Sequence, residues 1–199
     1  DKGPEEIIKG CVDAVNEVDI NITIVGREDK IKEELSRYTF SKGSIDILNS
    51  EDEITNEDDP ALAIRRKKNS SMVMGLKALA EGYGDGFVST GNTGALLAGG
   101  LFIVKRIRGI ERAALATVYP TRKGFSLMLD IGANVDCKPE YLEQFAVMGS
   151  IYSEKVLGTS SPKVGLANIG VEEGKGNILV REAYDLLKET NIDFYGNVE

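Results

Sequence analysis

The sequence predicts an α/β protein with a mainly parallel sheet and helices on both of its faces. Short apolar stretches alternate with helix-length segments along most of the 199 residues, and this alternation is typical of parallel β-α-β units. Three apolar stretches run into turns rich in glycine, amides and hydroxyls, at residues 89–95, 130–136 and 168–177. Such turns form the ligand crevice at the carboxyl ends of parallel strands. We therefore expect them to contribute to one site for an anionic ligand.

The composition narrows the chemistry that this site can perform. A net charge of −8 argues against a general nucleic-acid surface, and 42% hydrophobic residues are ordinary for a globular protein. The chain contains no histidine, which excludes Ser-His-Asp and Cys-His nucleophiles and histidine metal ligands within it. Cys11 and Cys137 lie far apart and are expected to be reduced thiols of a cytoplasmic protein.

The first part of the chain is predicted to fold as helix, strand, helix, strand. Pro4 suits a first helical position. Strands are predicted at 20–25 and 44–48, and a polar helix at 30–38. The acidic segment 51–59 is predicted to be a mobile loop. Apolar residues follow Pro4 on one helical face: Ile7, Ile8, Cys11, Val12 and Val15.

Asp59 and Pro60 predict the start of a long helix, because aspartate is a favourable N-cap and proline fits the first turn. This helix is expected to continue to about Glu81. Farther along the chain, only a short turn, residues 121–124, separates the apolar stretches at 115–120 and 126–130, so that strand pair is expected to be antiparallel. The remaining strands are predicted at 86–89, 113–119, 126–131, 163–168 and 193–195, and the helices at 93–106, 139–157 and 177–190.

We interpret residues 1–199 as a single α/β catalytic domain that lacks parts of its architecture. The chain opens on a helix start without a preceding strand, and it ends in another strand-end turn at 196–199. A crevice built from strand ends would be expected to have partners beyond both termini. We therefore expect a missing first strand and a missing C-terminal portion.

The turn at 89–95 (Ser-Thr-Gly-Asn-Thr-Gly-Ala) is the most informative candidate site. One interpretation is structural: the glycines permit close packing, and Asn92 or Thr93 caps the next helix. The other is a cradle for an anion or a carbonyl oxygen. Capping needs one polar residue and this turn has four, which favours the second interpretation. The candidate ligand groups are Ser89, Gly91, Asn92, Thr93 and Gly94.

The turn at 170–177 contains Lys175 between two glycines. It is not a Walker A motif, because its glycine spacing is one residue short and Gly176 stands where serine or threonine must hold magnesium. Lys175 could be an ordinary exposed lysine, but its glycine neighbours favour a cation that is positioned to bind a ligand. Residues 82–86 precede a predicted strand, so they indicate a helix stop and not a dinucleotide fingerprint.

Two further groups of polar residues leave alternatives open. Asp130, Asn134 and Asp136 could hold a divalent cation through oxygen ligands, yet a turn-forming role fits them equally well, and we assign no metal. Arg65 and Lys68 belong to a basic run that is by default a solvated helix face. Because the run points in several directions around a helix, one or two of its members could face the strand ends.

Several ordered motifs together resemble the phosphate acyltransferases of bacterial phospholipid synthesis, the PlsX family. The segment 60–72 is similar to the family pattern P-x-x-A-x-R-x-K-x-x-S-S. The resemblance extends through essentially all 199 residues. Its other motifs lie at 1–5, 91–95, 130–134, 145–149, 175–177 and 196–199.

The resemblance implies a homodimer with an isocitrate/isopropylmalate dehydrogenase-like fold and no cofactor. It implies conversion of long-chain acyl-(acyl carrier protein) and inorganic phosphate to acyl phosphate and free carrier protein. It also implies peripheral membrane contact through a helical hairpin beyond Glu199. The family's opening strand with its glycine pair and its later Asp-Gly-Phe-x-Gly-Asn motif are absent. Residues 48–50 (Leu-Asn-Ser) also lack a histidine found before the acidic loop in many members.

This reaction does not require histidine. Phosphate has a second pKa of about 6 and is largely dianionic at neutral pH, and a thiol of pKa about 8.5 is a good leaving group. The reaction needs a cradle of cations and N–H groups. We expect Lys175 to neutralise the phosphate or oxyanion, with Asn168 and Glu173 as orienting groups. The expected binding residues are Ser89, Gly91, Asn92, Thr93, Gly94, Arg65, Lys68 and Asn134.

Two other functions fit the same sequence features. The first is a nucleotide-dependent oxidoreductase of the same fold, which would have to bind NAD(P). The second is a non-catalytic subunit that binds anionic acyl carriers without releasing a thiol.

Overall fold

A computed structural model describes residues 3–41 and 44–199, so Asp1 and Lys2 of the motif at 1–5 lie outside it. The fold is mixed α/β. Strands within the described residues form three two-stranded sheets, two parallel and one antiparallel. The predicted α/β class and the mixture of parallel and antiparallel pairs are confirmed, but within residues 3–41 and 44–199 no ladder joins the three pairs into one sheet. The chain divides into an amino-terminal unit, Asp1–Lys105, and a carboxy-terminal unit, Arg106–Glu199.

The amino-terminal unit begins with the predicted helix, strand, helix and strand. The strands β1 and β2 pair in parallel, with Ile22 opposite Ile45 and Gly26 opposite Asn49. The bounds are α1 Pro4–Glu17, β1 Ile22–Gly26, α2 Glu28–Leu35 and β2 Ile45–Asn49. The core of this part consists of Ile8, Val12, Ile24, Ile31 and Leu35.

The helix predicted from Pro60 to about Glu81 is interrupted. It consists of α3, Pro60–Arg66, and α4, Ser71–Ala80. The fully buried Ser70 hydroxyl donates a 2.7 Å hydrogen bond to the Lys67 carbonyl oxygen, and Ser50 donates a 2.8 Å bond to the Asn69 carbonyl oxygen. At the break, the carbonyl oxygens of Lys67 and Asn69 therefore accept hydrogen bonds from serine hydroxyls. The backbone of Lys67 also leaves helical geometry there, with a ψ of 63°.

The strand predicted at 86–89 is not a strand in the structure. This segment is extended, but it has no ladder partner among the described residues. Phe87 packs against Gly75 of α4, while Val88 is 92% exposed. The helix that follows, α5 (Thr93–Gly99), continues as a π-helical turn, Gly100–Val104. It ends two residues before the predicted Arg106, because Lys105 takes a positive φ of 75°.

The second core of the amino-terminal unit lies between α3, α4 and α5. Five buried side chains form it: Ile64, Met72, Val73, Leu76 and Ala95. The Asp59 side chain accepts a 2.8 Å hydrogen bond from Leu62 N, so the predicted cap at the start of α3 is confirmed. This core fixes the start of α5 relative to α3.

The carboxy-terminal unit contains the predicted antiparallel hairpin, which pairs Thr121 with Gly124 at its turn. Leu129, at the end of the second strand, packs on Gly149. The last two strands pair in parallel. Buried Tyr141, Phe145, Ala183 and Leu187 come from its two helices. The bounds are β3 Ala116–Thr121, β4 Gly124–Leu129, α6 Pro139–Lys155, β5 Lys163–Ala167, α7 Ile178–Glu189 and β6 Asp193–Val198.

Among the helices in residues 3–41 and 44–199, none combines the length and apolar character needed to cross a membrane.

Candidate functional site

The turn at 168–177 joins β5 to α7 at the carboxyl end of a parallel strand pair. Leu166 of β5 lies opposite Asn197 of β6, and Ala167 lies opposite Val198. Asn168 extends this pairing, because its N–H donates a 2.9 Å hydrogen bond to the Val198 carbonyl oxygen. The turn therefore starts from a fixed strand end, in the position where α/β proteins bind ligands.

The structure brings two predicted site residues, Asn168 and Lys175, together. The Asn168 Nδ2 atom donates a 3.1 Å hydrogen bond to the carbonyl oxygen of Lys175. The Oδ1 atom of the same side chain accepts a 2.8 Å bond from the N–H of Ile169. One amide thus links both ends of the turn.

A third residue of this site, Asn197, was not predicted. Its side chain is only 4% exposed, and its Nδ2 atom donates a 2.8 Å hydrogen bond to the Glu172 carbonyl oxygen. The same carbonyl accepts a 3.0 Å bond from the N–H of Lys175. The sequence indicates a truncated strand-end turn at residues 196–199 but no role for residue 197. An amide at a strand position that pairs with apolar Leu166 is the signal that could have identified it.

The turn presents many unengaged hydrogen-bond donors. Of the backbone N–H groups of residues 170–177, only that of Lys175 donates a hydrogen bond within the described part of the chain. Lys175 is exposed, and its ammonium makes no ion pair or side-chain hydrogen bond with the described residues. Asn177 caps α7 by accepting a 3.0 Å bond from Val180 N. A cation beside a run of N–H groups is an arrangement suited to an anion.

Glu173, the third predicted catalytic residue, contacts a different partner. Its Oε1 atom lies 2.7 Å from Nζ of Lys188 on α7, and both side chains are about half exposed. The hydrogen bond to Glu173 raises the pKa of Lys188. The carboxylate is therefore held by α7, and its role as an orienting group for Lys175 stays a prediction.

In the amino-terminal unit, the turn at 89–95 has the geometry of a helix cap. Asn92 Oδ1 accepts a 2.9 Å hydrogen bond from Ala95 N, and its Nδ2 donates a 3.1 Å bond to the Thr55 carbonyl oxygen. Ser89 Oγ accepts a 3.2 Å bond from Gly91 N. The contacts of Asn92 are therefore those of a helix cap, as the structural interpretation expected. Its role in binding a ligand stays a prediction.

The remaining residues of this turn differ in their surroundings. Thr93 and Gly91 are exposed. A Cβ atom at Gly94 would lie 2.9 Å from Cγ of Pro60, so glycine is what allows α5 to start beside α3. Because its side chain is exposed, Thr93 is accessible for the predicted binding role.

The two basic candidates lie near the end of α3 and in the break between α3 and α4. The Arg65 guanidinium lies over the Phe102 ring, with its carbon 5.3 Å from the ring centroid, a favourable cation–π arrangement. Lys68 is exposed within the break. Between them, Lys67 forms a 2.8 Å ion pair with Asp58. Arg65 therefore lies in α3 and Lys68 outside it, so the prediction of one helix for both is wrong.

The turn at 130–136 is stabilised by its own side chains. Asp130 has a positive φ of 61°, and its Oδ1 atom accepts hydrogen bonds from both N and Nδ2 of Asn134, at 3.2 and 2.9 Å. Asn134 Nδ2 also donates a 2.9 Å bond to the Ala113 carbonyl oxygen. These contacts match the turn-forming interpretation. Within residues 3–41 and 44–199, no group of three or more histidine, cysteine, aspartate or glutamate residues is placed to hold a metal ion.

Cys137 lies against the same carboxylate. Its Sγ atom is 3.3 Å from Asp130 Oδ2. Burial, and then the hydrogen bond to Asp130, raise the pKa of the thiol from 9.0 to about 11. This cysteine is therefore protonated at neutral pH and is a poor nucleophile.

Comparison with known proteins identifies the family. The family model described as fatty acid synthesis protein matches residues 1–199. The chain belongs to this family. Two similar proteins, both named phosphate acyltransferase, match 100% of the chain. That of Alkaliphilus oremlandii is 52% identical over 199 residues, and that of Clostridium acetobutylicum is 50% identical over 200 residues.

The family resemblance inferred from the motifs is therefore confirmed. The chain covers 59% and 60% of the lengths of these two relatives. Among solved structures, a EutD phosphotransacetylase from Staphylococcus aureus matches with a TM-score of 0.66 at 18% identity, over 98% of this chain and 66% of that one. This likeness shows that the chain shares its α/β fold with a phosphotransacetylase.

Proposed function

We propose that this protein is a phosphate acyltransferase of fatty acid and phospholipid synthesis. In this proposal it transfers the acyl group of long-chain acyl-(acyl carrier protein) to inorganic phosphate, giving acyl phosphate and free carrier protein. The family description and the names of the relatives support transfer of an acyl group to phosphate. The long-chain substrate and the carrier protein come from the motif resemblance.

The observation that carries the proposal is the turn at 168–177. It combines the exposed ammonium of Lys175 with backbone N–H groups that have no acceptor among the described residues. Both kinds of group bind phosphate oxygens, and both stabilise the oxyanion that develops during acyl transfer. Asn168 holds Lys175 through its carbonyl oxygen, which supports a fixed position for the cation-bearing turn.

The proposed chemistry balances without a cofactor or a covalent enzyme intermediate. A phosphate oxygen attacks the thioester carbonyl carbon, and a tetrahedral oxyanion forms. The oxyanion collapses, the carbon–sulfur bond breaks, and the carrier thiolate leaves and takes a proton from solvent. Lys175 and the N–H groups of the turn would offset negative charge on the phosphate or on the oxyanion.

Four further features belong to the proposal through the family resemblance. They are an isocitrate/isopropylmalate dehydrogenase-like fold, a single catalytic domain, a homodimer in the cytoplasm, and peripheral membrane contact outside this chain. Light scattering of the full-length protein measures the dimer. Flotation with phospholipid vesicles measures the membrane contact.

The decisive experiment measures thiol release from palmitoyl-(acyl carrier protein) by the full-length protein. We expect release to require phosphate and to stop when sulfate replaces it. Carrier-protein binding without phosphate-dependent release would support the non-catalytic binding subunit instead. A change in NAD(P)H fluorescence on titration with the protein would support the oxidoreductase.

A further inference from the structure

Asn197 is connected to Lys175 through a single carbonyl group. The Glu172 carbonyl oxygen accepts a 2.8 Å hydrogen bond from Asn197 Nδ2 and a 3.0 Å bond from Lys175 N. On the other side of the turn, Asn168 holds the Lys175 carbonyl oxygen at 3.1 Å. Asn168 therefore bonds the carbonyl group of Lys175 directly, whereas Asn197 bonds the Glu172 carbonyl group that accepts from the Lys175 N–H.

The turn needs such support because its own sequence provides little. Lys175 lies between Gly174 and Gly176, and Gly176 has a φ of 92°. Glycine restricts the backbone least of all residues, so the position of Lys175 depends on bonds from outside residues 172–175. Asn168, directly after β5, and Asn197 of β6 supply those bonds.

Within the described residues, the buried side-chain amide of Asn197 makes one hydrogen bond, to the Glu172 carbonyl oxygen. Its Oδ1 atom is buried and has no hydrogen-bond partner among the described residues. A buried acceptor without a partner costs stability. A residue selected for packing alone at this position would avoid that cost, whereas a residue that orients the turn needs only its Nδ2 donor.

We infer that Asn197 is a positioning residue for Lys175 in the proposed acyl transfer, acting through the Glu172 carbonyl group. The inference rests on the proposed function, because Lys175 is its candidate cation. Without the Nδ2 donor, the 172–175 turn loses one of its two external supports, and the ammonium spreads over more positions. A displacement of about 1 Å in a catalytic group reduces rates by up to about a hundredfold.

Two substitutions test the inference in the full-length protein. Asn197→Leu removes both the donor and the unpartnered acceptor, and the Glu172 carbonyl oxygen keeps its bond from Lys175 N. We expect its melting temperature to stay at or above that of the wild type while kcat for thiol release falls by about tenfold or more. Asn197→Ser is the second variant, since serine fits the space but cannot reach Glu172. Asn16→Ser is the matched control, because Asn16 Nδ2 also donates to a distant carbonyl, that of Thr39, at 3.2 Å.

A double-mutant cycle separates positioning from a general structural effect. If Asn197 acts through Lys175, Asn197→Ser should reduce kcat by less than about twofold in a Lys175→Ala background. An equal loss in both backgrounds overturns the inference, and so does wild-type activity in both Asn197 variants. A wild-type protein without phosphate-dependent thiol release instead shows that the proposed function is wrong, and the inference falls with it.

Discussion

The side chain of Asn168 donates a 3.1 Å hydrogen bond to the carbonyl oxygen of Lys175, seven residues later in the chain. Asn168 is held in turn by the end of β6, because its N–H donates to the Val198 carbonyl oxygen. The candidate cation is thus tied to the parallel strand pair through a backbone contact. Its ammonium remains exposed, and this arrangement leads to the first two predictions.

Replacing Lys175 by alanine should reduce acyl-phosphate formation by about a hundredfold, because the site loses its positive charge. The fold should persist, since the hydrogen bonds of Lys175 within the described residues use its backbone. Phosphate-dependent thiol release measures the activity, and circular dichroism measures the fold. Lys155→Ala is a suitable control, because Lys155 is exposed and its ammonium, among the described residues, pairs with its exposed neighbour Glu154. Near-normal turnover in Lys175→Ala would remove this lysine from the mechanism.

Gly176→Ala should destabilise the protein and lower its activity. Gly174→Ala should have a smaller effect on both stability and activity. Gly176 has a φ of 92°, and a Cβ atom there would lie 2.7 Å from Asn168 Oδ1. We expect a loss of about 1–3 kcal/mol in the free energy of unfolding. At Gly174 a Cβ atom meets nothing within 4 Å. Urea unfolding of the two full-length variants checks the difference, and equal stability would contradict it.

The two functions of the Asn92 amide can be separated by substitution. Asn92→Ala removes the cap of α5 and should lower the free energy of unfolding by about 1 kcal/mol. Asn92→Asp keeps an oxygen for Ala95 N but loses the donor to the Thr55 carbonyl oxygen. A carboxylate oxygen in place of Nδ2 would face the Thr55 carbonyl oxygen, so this variant should lose stability although its cap of α5 persists. If Asn92→Asp keeps full thiol-release activity, the amide donor has no part in binding.

The thiol of Cys137 should react slowly with iodoacetamide until the pH is strongly alkaline. Its pKa is raised from 9.0 to about 11, first by burial and then by Asp130. Between these values the folded state binds more protons than the unfolded state, so this contribution to stability is present below pH 9 and is lost toward pH 11. Alkylation rates against pH, in a Cys11→Ser background, measure the shift. Asp130→Asn should move the midpoint to lower pH, and an unchanged midpoint would show that Asp130 does not contribute.

Local signals in the sequence predicted most of the elements but not how the strands assemble. Pro4 and Asp59 mark true helix starts, and the short turn after Thr121 is a hairpin turn. The predicted strand at 86–89 is wrong, because an apolar extended segment becomes a strand only when a partner forms a ladder with it. Strand pairing depends on contacts far apart in sequence, which periodicity does not contain.

The candidate site could be predicted only in part, because some of its contacts join residues that are far apart in sequence. Asn168 and Lys175 lie in one turn, so the sequence could place them together. Asn197 reaches this turn only through the pairing of β5 with β6, and no local motif shows that contact. Glu173 lies two residues from Lys175, but its ion pair with Lys188 depends on where α7 packs.

The break between α3 and α4 changes how residues 60–80 should be chosen for mutagenesis. A single helical wheel drawn from Pro60 assumes a constant 100° step, but Lys67 and the buried Ser70 interrupt that step. The wheel for Ser71–Ala80 has to be phased from Ser71. Scanning libraries or chimaeras spaced on one uninterrupted period would place polar substitutions into the core formed by Met72, Val73 and Leu76.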